Sequence, residues 1–458
     1  MPRIYLCVLW HMHQPFYKDL ISGEYRMPWT RLHALKDYYG MVEVLEEFPE
    51  VHQTFNLVPS MMAQVEEYAD GTAIDPFLRV SLKPAETLTE SEQEFILRNF
   101  LPVHPPLSMT RFPRYAELCE AWRMSGRNTG RALRLFTTQA FRDVQVLSQL
   151  AWFDEASLTK DPDVRHLAER GRDYTAGDQA LAGRKQAEFL QRVLPVYERF
   201  ARSGQIEIST TPFYHPILPL VCDSQIAEMS HPYVPLPMRF HYPQDARCQL
   251  ERARDYIRDR FGAEPRGLWP SEGSVSDEAL AIAAETGFRW AATDNGVLSR
   301  TLGRTAGLEE TYRPYVWSQN GREMRMIFRD HYLSDLIGFV YQRLGPAEAA
   351  ADFLNRIRDN TRAILASGRD AFVPIILDGE NAWEHYPENG RPFLRELYRS
   401  IVADSSIQAL TMTEALDRVE PQPLSHIIPG SWINANFDVW IGAEEDNVAW
   451  DYLLRARQ

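Results

Sequence analysis

The chain alternates short apolar runs with polar clusters, and seven of these runs share one arrangement. Each run has the length of a β-strand and is followed at once by polar or ionisable side chains. The runs cover residues 4–10, 51–57, 205–209, 267–269, 289–292, 326–328 and 371–377. A parallel β/α barrel places its functional groups in this way, on the loops that follow the strands. We therefore predict an α/β protein with an incomplete, seven-stranded barrel.

Helical periodicity fills the remaining sequence. Residues 276–287 (SDEALAIAAETG) have Ser276 or Asp277 as a starting cap and Gly287 as a stop signal. Apolar residues spaced at about 3.6 positions predict a helical insertion over about 61–202. We expect a catalytic barrel domain over residues 1–380, interrupted by this insertion, and a mainly helical C-terminal region over 381–458 that completes the cleft.

Composition and charge narrow the class of partner. The formal net charge of -14 argues against nucleic acid and anionic membranes. The four cysteines are scattered without a C-x-x-C pair, and no apolar stretch reaches 18 residues. The first residues are too weakly apolar for a signal peptide, so we expect a cytoplasmic protein. The aromatic content of 12% suits a carbohydrate cleft and a large core equally well.

Two carboxyl groups follow apolar runs and are candidates for acid–base chemistry. Glu272 follows Trp269-Pro270, and Gly273 lets the backbone turn so that the carboxylate projects into the barrel mouth. The alternative is an ordinary solvated loop glutamate. Asp378 closes the run AFVPIIL, where partial dehydration raises the pKa of a carboxyl group. Its alternative is a helix N-cap.

Three histidines occupy similar places at strand ends. His11 and His13 lie one residue apart, so their side chains point to the same side of a strand. His215 follows the third run, in FYHPILP. Such a set suits a metal hydrolase or an enzyme that holds a sugar through hydrogen bonds. Further candidates for binding a substrate are the polar and aromatic residues near the strand ends and in the loop after residue 430, namely Gln14, Asp294, Glu380, Trp383, Trp432 and Asn434.

Five segments in order resemble glycoside hydrolase family 57, the retaining α-glucan enzymes of the α-amylase and amylopullulanase type. They are HMHQP at 11–15, GQIEISTTPFYHPILP at 204–219, GLWPSEG at 267–273, ILDGENAWEHYPENG at 376–390 and SWINANFDVWIGAEEDN at 431–447. Together they span most of the chain. The resemblance implies a (β/α)7 barrel with a helical C-terminal part.

The resemblance also implies roles for individual residues. Glu272 would be the nucleophile and Asp378 the general acid/base. His11, His13 and His215 would bind the sugar where the bond breaks, and the cleft walls would be Trp269 and Trp432. The expected activity is retaining hydrolysis of α-1,4 and, by extension, α-1,6 glucan bonds, with an α-glucan as partner and no metal or cofactor.

Three alternatives remain open from the sequence. The segment DGENAWE differs from the DAELFGH form of the family's branching enzymes, which argues against branching. The first alternative is nevertheless 4-α-glucanotransferase or branching activity on the same site. A metal-dependent barrel hydrolase would use the His-x-His pair with His215 and Asp378. A carbohydrate-binding protein without catalysis is the third alternative.

Overall fold

The computed structural model describes residues 2–380 and 382–458, so Asn381 of the fourth motif lies outside the described residues. The described part contains one ten-stranded sheet. Its strands are β1 (Ile4–Met12), β2 (Gln53–Leu57), β3 (Ile206–Thr210), β4 (Gly267–Leu268), β5 (Trp290–Asp294), β6 (Tyr315–Gln319), β7 (Arg322–Arg329), β8 (Ala371–Asp378), β9 (Ile407–Ala409) and β10 (Gln422–Leu424).

All seven predicted runs form strands, and they make the barrel. The parallel neighbours run in the order β7-β5-β4-β3-β2-β1-β8. Three further strands extend it: β6 is antiparallel to β7, β10 is parallel to β6, and β9 pairs with the start of β1. The prediction of an incomplete (β/α)7 barrel is therefore confirmed.

The barrel stays open between β7 and β8. Here the Asp330 N–H donates to the Pro374 carbonyl at 2.9 Å, and the Ile376 N–H donates to Ser334 Oγ at 3.2 Å. Pro374 has no N–H of its own, so a regular ladder cannot continue past it. In the described part of the chain, the Ser334 side chain and the Asp330 N–H therefore link β8 to the segment after β7, while the Phe372 N–H at the start of β8 donates to the Tyr312 carbonyl at 3.2 Å.

Helices surround the sheet, and between β2 and β3 the described elements are helical, as predicted for the insertion. The α-helices are Trp29–His33, Tyr39–Glu43, Pro59–Ala69, Pro76–Leu82, Glu90–Asn99, Leu107–Thr110, Pro113–Met124, Thr129–Ala132, Thr138–Leu150, Glu155–Lys160, Pro162–Arg170, Ala176–Leu190, Val193–Ser203, Leu218–Cys222, Ala227–Ser230, Pro243–Phe261, Asp277–Glu285, Asn295–Thr301, Leu308–Thr311, His331–Asp335, Pro346–Ala366, Arg391–Ala403, Met412–Leu416 and Glu444–Arg457. The division into domains at residue 380 stays a prediction.

Local signals set the helix that follows Glu272 in the chain. Ser276 caps it, with its hydroxyl accepting from the Ala279 N–H at 3.2 Å. Gly287 ends it in a backbone conformation with φ of 103°. The observed helix, Asp277–Glu285, lies within the predicted span.

The alternation of side chains along β1 decides where its histidines point. Leu6, Val8 and Trp10 pack with the surrounding helices in one apolar cluster. Cys7 and Leu9 face the opposite way, into the barrel interior. His11 continues this second face, which places it in the barrel at the carboxyl end of the strand.

Candidate active site

Glu272 occupies a strained turn directly after β4. Its φ of 57° is unusual for a residue other than glycine. The segment around Trp432 holds the turn from the other side. The Trp432 N–H donates to the Glu272 carbonyl at 3.0 Å, and the indole Nε1 donates to Glu272 Oε2 at 2.8 Å. Backbone strain of this kind persists where surrounding contacts fix it, and it concentrates at functional sites.

Glu272 and Asp378 line the same cavity of about 570 Å³, a size typical of ligand sites. Burial raises the pKa of Glu272 to about 7; the Trp432 hydrogen bond opposes this rise and the charge of Asp378 adds to it. The two carboxyl groups are thus close enough to repel each other. A negative charge on Asp378 therefore opposes the ionisation of Glu272.

The helix-cap alternative for Asp378 is decided by the helical turn that follows β8. The first helical turn after β8 is Trp383–His385 with Ala382 as its N-cap residue, so Asp378 does not cap a helix. The raised pKa that the sequence predicts for Asp378 stays a prediction, and at Glu272 burial raises the pKa as well. At Glu272 the burial comes from the tertiary fold, and Trp432, 160 positions away in the sequence, opposes its effect by donating a hydrogen bond.

The three predicted histidines come together beside this pair. The rings of His13 and His215 stack with centroids 3.8 Å apart, and His11 lies 5.2 Å from His215. His215 Nδ1 is 3.9 Å from Glu272 Oε1. Burial lowers the pKa of His13 to about 3 and that of His215 well below its ordinary value. The cluster is therefore neutral at physiological pH and offers hydrogen-bonding groups rather than charge.

The protonation of His11 follows from its neighbour Asn56. The Asn56 amide Nδ2 donates to the Thr210 carbonyl at 2.7 Å, which leaves its Oδ1 to accept from His11 Nδ1 at 2.8 Å. Nδ1 therefore carries the hydrogen, and Nε2 is an acceptor. Within the described residues, His11 Nε2 and His215 Nε2 are buried and have no hydrogen-bond partner. Both atoms are suited to binding a ligand hydroxyl.

Glu380 and Gln14, two expected sugar-binding residues, lie behind the histidines. Glu380 is only 2% exposed; its Oε1 accepts from the His13 N–H at 3.0 Å and from Tyr38 Oη at 3.2 Å. Burial, followed by the charges of Asp378 and Asp37, raises the pKa of Glu380 well above its ordinary value. Glu380 therefore holds the backbone of His13, and its role in binding a sugar stays a prediction.

The predicted tryptophans divide into one at the cavity and two beneath it. Trp432 lines the cavity together with Asn434. Trp269 is buried and meets the Trp432 ring edge-on, with centroids 5.3 Å apart. Trp383 is buried against Trp10 and donates from Nε1 to the Gly379 carbonyl at 2.8 Å. Trp269 and Trp383 therefore support the loops of the site from below.

Asp294, also predicted, belongs to a charged cluster at the same cavity. It accepts from Arg329 at 3.1 Å and from His331 Nδ1 at 3.2 Å. Hydrogen bonds with Asp294 and Asp335 raise the pKa of His331 to about 10. The Arg329 guanidinium lies 5.1 Å from the centroid of the Trp432 ring, an attractive cation–π arrangement. Asp294 thus acts on the site through the cation that supports Trp432.

Several residues of the site were not singled out from the sequence. Arg329 and His331 follow a predicted strand, and this placement was a usable signal. No motif contains Asn56 of β2 or the two cavity-lining residues Phe339 and Gln342. Their importance depends on contacts across the barrel.

The three histidines could also hold a metal ion. One ring nitrogen from each of His11, His13 and His215 lies within 4.8 Å of the others. Neutral imidazoles are common zinc ligands, although zinc requires shorter separations because its bonds to nitrogen are about 2.0–2.1 Å.

The fold and this site together define a class of protein. Two carboxyl groups face one cavity at the carboxyl ends of barrel strands, and hydrogen-bonding imidazoles and an aromatic wall flank them. This is the arrangement of a glycoside hydrolase. The chain belongs to glycosyl hydrolase family 57, whose model matches residues 7–428.

Curated relatives of this chain include an α-amylase from Pyrococcus horikoshii, 25% identical over 52% of the chain and 34% of the relative. A 4-α-glucanotransferase from Thermococcus litoralis is 24% identical over 52% of the chain and 32% of the relative. The match thus spans about a third of the length of each of these two relatives.

Two solved structures share the fold. A family 57 branching enzyme from Thermococcus kodakaraensis has a TM-score of 0.60 at 13% identity, covering 99% of this chain and 78% of that one. An α-amylase from Thermotoga maritima has a TM-score of 0.58 at 13% identity, covering 96% of this chain and 79% of that one.

None of the helices in the described part of this chain has the length and apolarity needed to cross a membrane.

Proposed function

We propose that this chain is a retaining glycoside hydrolase that acts on α-linked glucans, with α-1,4 bonds as the main substrate and α-1,6 bonds as an extension. The observation that carries the proposal is that Glu272 and Asp378 line one cavity and interact electrostatically. Family membership supports the substrate class, since the relatives bear the names α-amylase and 4-α-glucanotransferase.

The proposed reaction is a double displacement. Glu272 attacks the anomeric carbon while Asp378 gives its proton to the departing glycosidic oxygen. Asp378 then takes a proton from water, whose oxygen attacks the same carbon and releases Glu272. The buried acceptor Nε2 of His11 would bind a sugar hydroxyl, an interaction that counts for rate where it strengthens in the transition state.

The test is product analysis on maltoheptaose, amylose and pullulan in the presence of EDTA, with Glu272→Ala and Asp378→Ala beside the wild type. Loss of the general acid should lower the rate by about 10²–10⁴-fold, and loss of the nucleophile should remove nearly all turnover. Glu420→Ala, at an exposed position outside the cavity lining, is the matched control and should retain activity. Substantial hydrolysis by Glu272→Ala would refute the assignment.

Metal-dependent hydrolysis is the second candidate function, and the histidine cluster favours it. It predicts that EDTA abolishes turnover and that added zinc restores it, with about one metal ion per chain by elemental analysis. The glycosidase proposal predicts full activity in EDTA. The same product assay therefore separates the two.

Location in the cytoplasm is part of the proposal and rests on cysteine chemistry. Cys7, Cys119, Cys222 and Cys248 are free thiols, which suits a reducing compartment. Fractionation of the native host would test it.

A further inference from the structure

The cavity that holds the two carboxyl groups extends outward to a second set of residues. This set, the outer part of the cavity, consists of Gly338, Phe339, Gln342 and His385. Phe339 is 68% exposed, an unusual position for a large apolar ring. It lies on a one-turn π-helix, Leu336–Val340, and irregular turns of this kind are frequent at functional sites.

This outer part lies on the Asp378 side of the site. The segment that carries Phe339 is tied to β8, the strand that ends in Asp378, because Ser334 Oγ accepts from the Ile376 N–H at 3.2 Å. It is also tied to the loop after β8, where Tyr386 Oη donates to the Ile337 carbonyl at 2.6 Å. Glu272 follows β4, and β5 separates β4 from β7.

The chemistry of the outer part suits a sugar. A sugar ring offers apolar C–H faces that pack on an aromatic ring, and hydroxyl groups that donate hydrogen bonds. Phe339 supplies the ring. The Gln342 amide Nε2 donates to the Phe339 carbonyl at 3.2 Å, and this bond fixes the amide. Its Oε1 is buried and, among the described residues, has no hydrogen-bond partner.

We infer that Phe339 and Gln342 form a subsite for an acceptor saccharide beside Asp378. The inference rests on the proposed glycosidase function and adds to it that a sugar hydroxyl competes with water for the glycosyl enzyme. The acid/base residue contacts the departing oxygen and, in the second step, the incoming one. A sugar held on its side is therefore placed for transfer.

The transfer step is balanced without any further reactant. The oxygen of an acceptor hydroxyl forms a bond to the anomeric carbon, and the ester bond from that carbon to Glu272 breaks. The hydroxyl proton passes to Asp378, which ends the cycle as the acid that it was at the start. Glu272 leaves as a carboxylate. Hydrolysis follows the same course with water.

The experiment measures the ratio of transfer to hydrolysis products from maltoheptaose, with and without added maltose as acceptor. Both products arise from one intermediate, so this ratio does not depend on how fast the intermediate forms. We expect Phe339→Ala and Gln342→Ala each to lower the ratio at least fivefold, and Phe339→Tyr, which keeps an aromatic face, to retain it.

Tyr332→Ala is the matched control. Tyr332 is an exposed aromatic residue on the same segment that contacts the Arg356 guanidinium, and its loss should leave the ratio unchanged. If Phe339→Ala retains the wild-type ratio while the wild type turns over glucan, the acceptor subsite is refuted alone. If the wild type turns over no glucan, the proposed function fails and the subsite fails with it.

Discussion

At the scale of single residues, the environment of Glu272 governs the chemistry. A nucleophile must be ionised, yet burial raises the pKa of this carboxyl to about 7. The Trp432 indole N–H counters that effect because it donates to the charged form. The pKa of the acid limb of kcat/KM should therefore depend on two opposing effects, burial of Glu272 and this hydrogen bond.

Trp432→Phe tests the balance. Phenylalanine keeps a ring against Trp269 and Arg329 but removes the N–H donor, so the pKa of Glu272 should rise further. Activity is lost as pH falls through that pKa, and the acid limb of kcat/KM should move to higher pH. Trp440→Phe, a control outside the cavity lining, should leave the limb in place. If the acid limb stayed at the same pH in Trp432→Phe, the indole N–H would not lower the pKa of Glu272.

The raised pKa of Glu272 should also lower the stability of the folded protein once this carboxyl is ionised. A folded-state pKa of about 7 against an ordinary 4.5 means that the folded chain binds more protons between these pH values. Stability should therefore fall as pH rises through this window, by up to about 3 kcal/mol.

Glu272→Gln removes the ionisation and keeps the volume. We expect this variant to melt at a higher temperature than the wild type at pH 8, with the difference shrinking toward pH 4.5. Thermal melting across this range is the measurement, and the exposed Glu420→Gln is the control. If the difference in melting temperature between Glu272→Gln and the wild type were the same at every pH, titration of Glu272 would not be its cause.

At the scale of elements, the barrel depends on close contact between short strands. β4 has only Gly267 and Leu268, and a Cβ added to Gly267 would lie 1.9 Å from the Trp290 ring on β5. Because both the ring and the strand are buried, neither can move away easily. The glycine is required by space rather than by backbone conformation.

Gly267→Ala should destabilise the fold by about 1–3 kcal/mol through overpacking. Gly338→Ala is the control, since nothing lies within 4 Å of its added Cβ, and its stability should match or slightly exceed the wild type. Urea unfolding of both variants is the measurement. If the two variants were equally stable, the Trp290 ring would have moved aside without loss of free energy, and the overpacking argument would be wrong.

At the scale of the whole molecule, the open seam between β7 and β8 borders the catalytic cavity. Ser334 contributes twice there: its hydroxyl accepts from Ile376 and donates to the Asp330 carbonyl at 2.6 Å. Since Pro374 interrupts the ladder, this side chain takes the place of a regular backbone bond. The seam is where the barrel should open first.

Ser334→Ala leaves the buried Ile376 N–H without its partner, which should cost about 1–3 kcal/mol. Hydrogen exchange by mass spectrometry should show faster exchange in the peptide over 371–378. Ser203→Ala is the control, because among the described residues that hydroxyl donates within its own helix, to the Phe200 carbonyl. Unchanged exchange in β8 would refute the role of Ser334 at the seam.

The sequence by itself determined the seven barrel strands, the helical insertion and the positions of Glu272, Asp378 and the three histidines. These follow from local patterns: apolar runs form strands, alternation orients side chains, and parallel strands bring their carboxyl ends together. The helix after Glu272 was equally local, because Ser276 and Gly287 mark its ends.

Only the tertiary structure decided which of these residues face the cavity and with what charge. Burial by the tertiary fold raises the pKa of Glu272, and the Trp432 indole that opposes this rise lies 160 positions away in the sequence, so no local pattern reveals either effect. Trp383 and Glu380 share a motif with Asp378 but are buried beneath the site, while Phe339 belongs to no motif and lines it. Burial depends on what packs over a residue from elsewhere in the chain, whereas strand and helix signals lie within a few neighbouring residues.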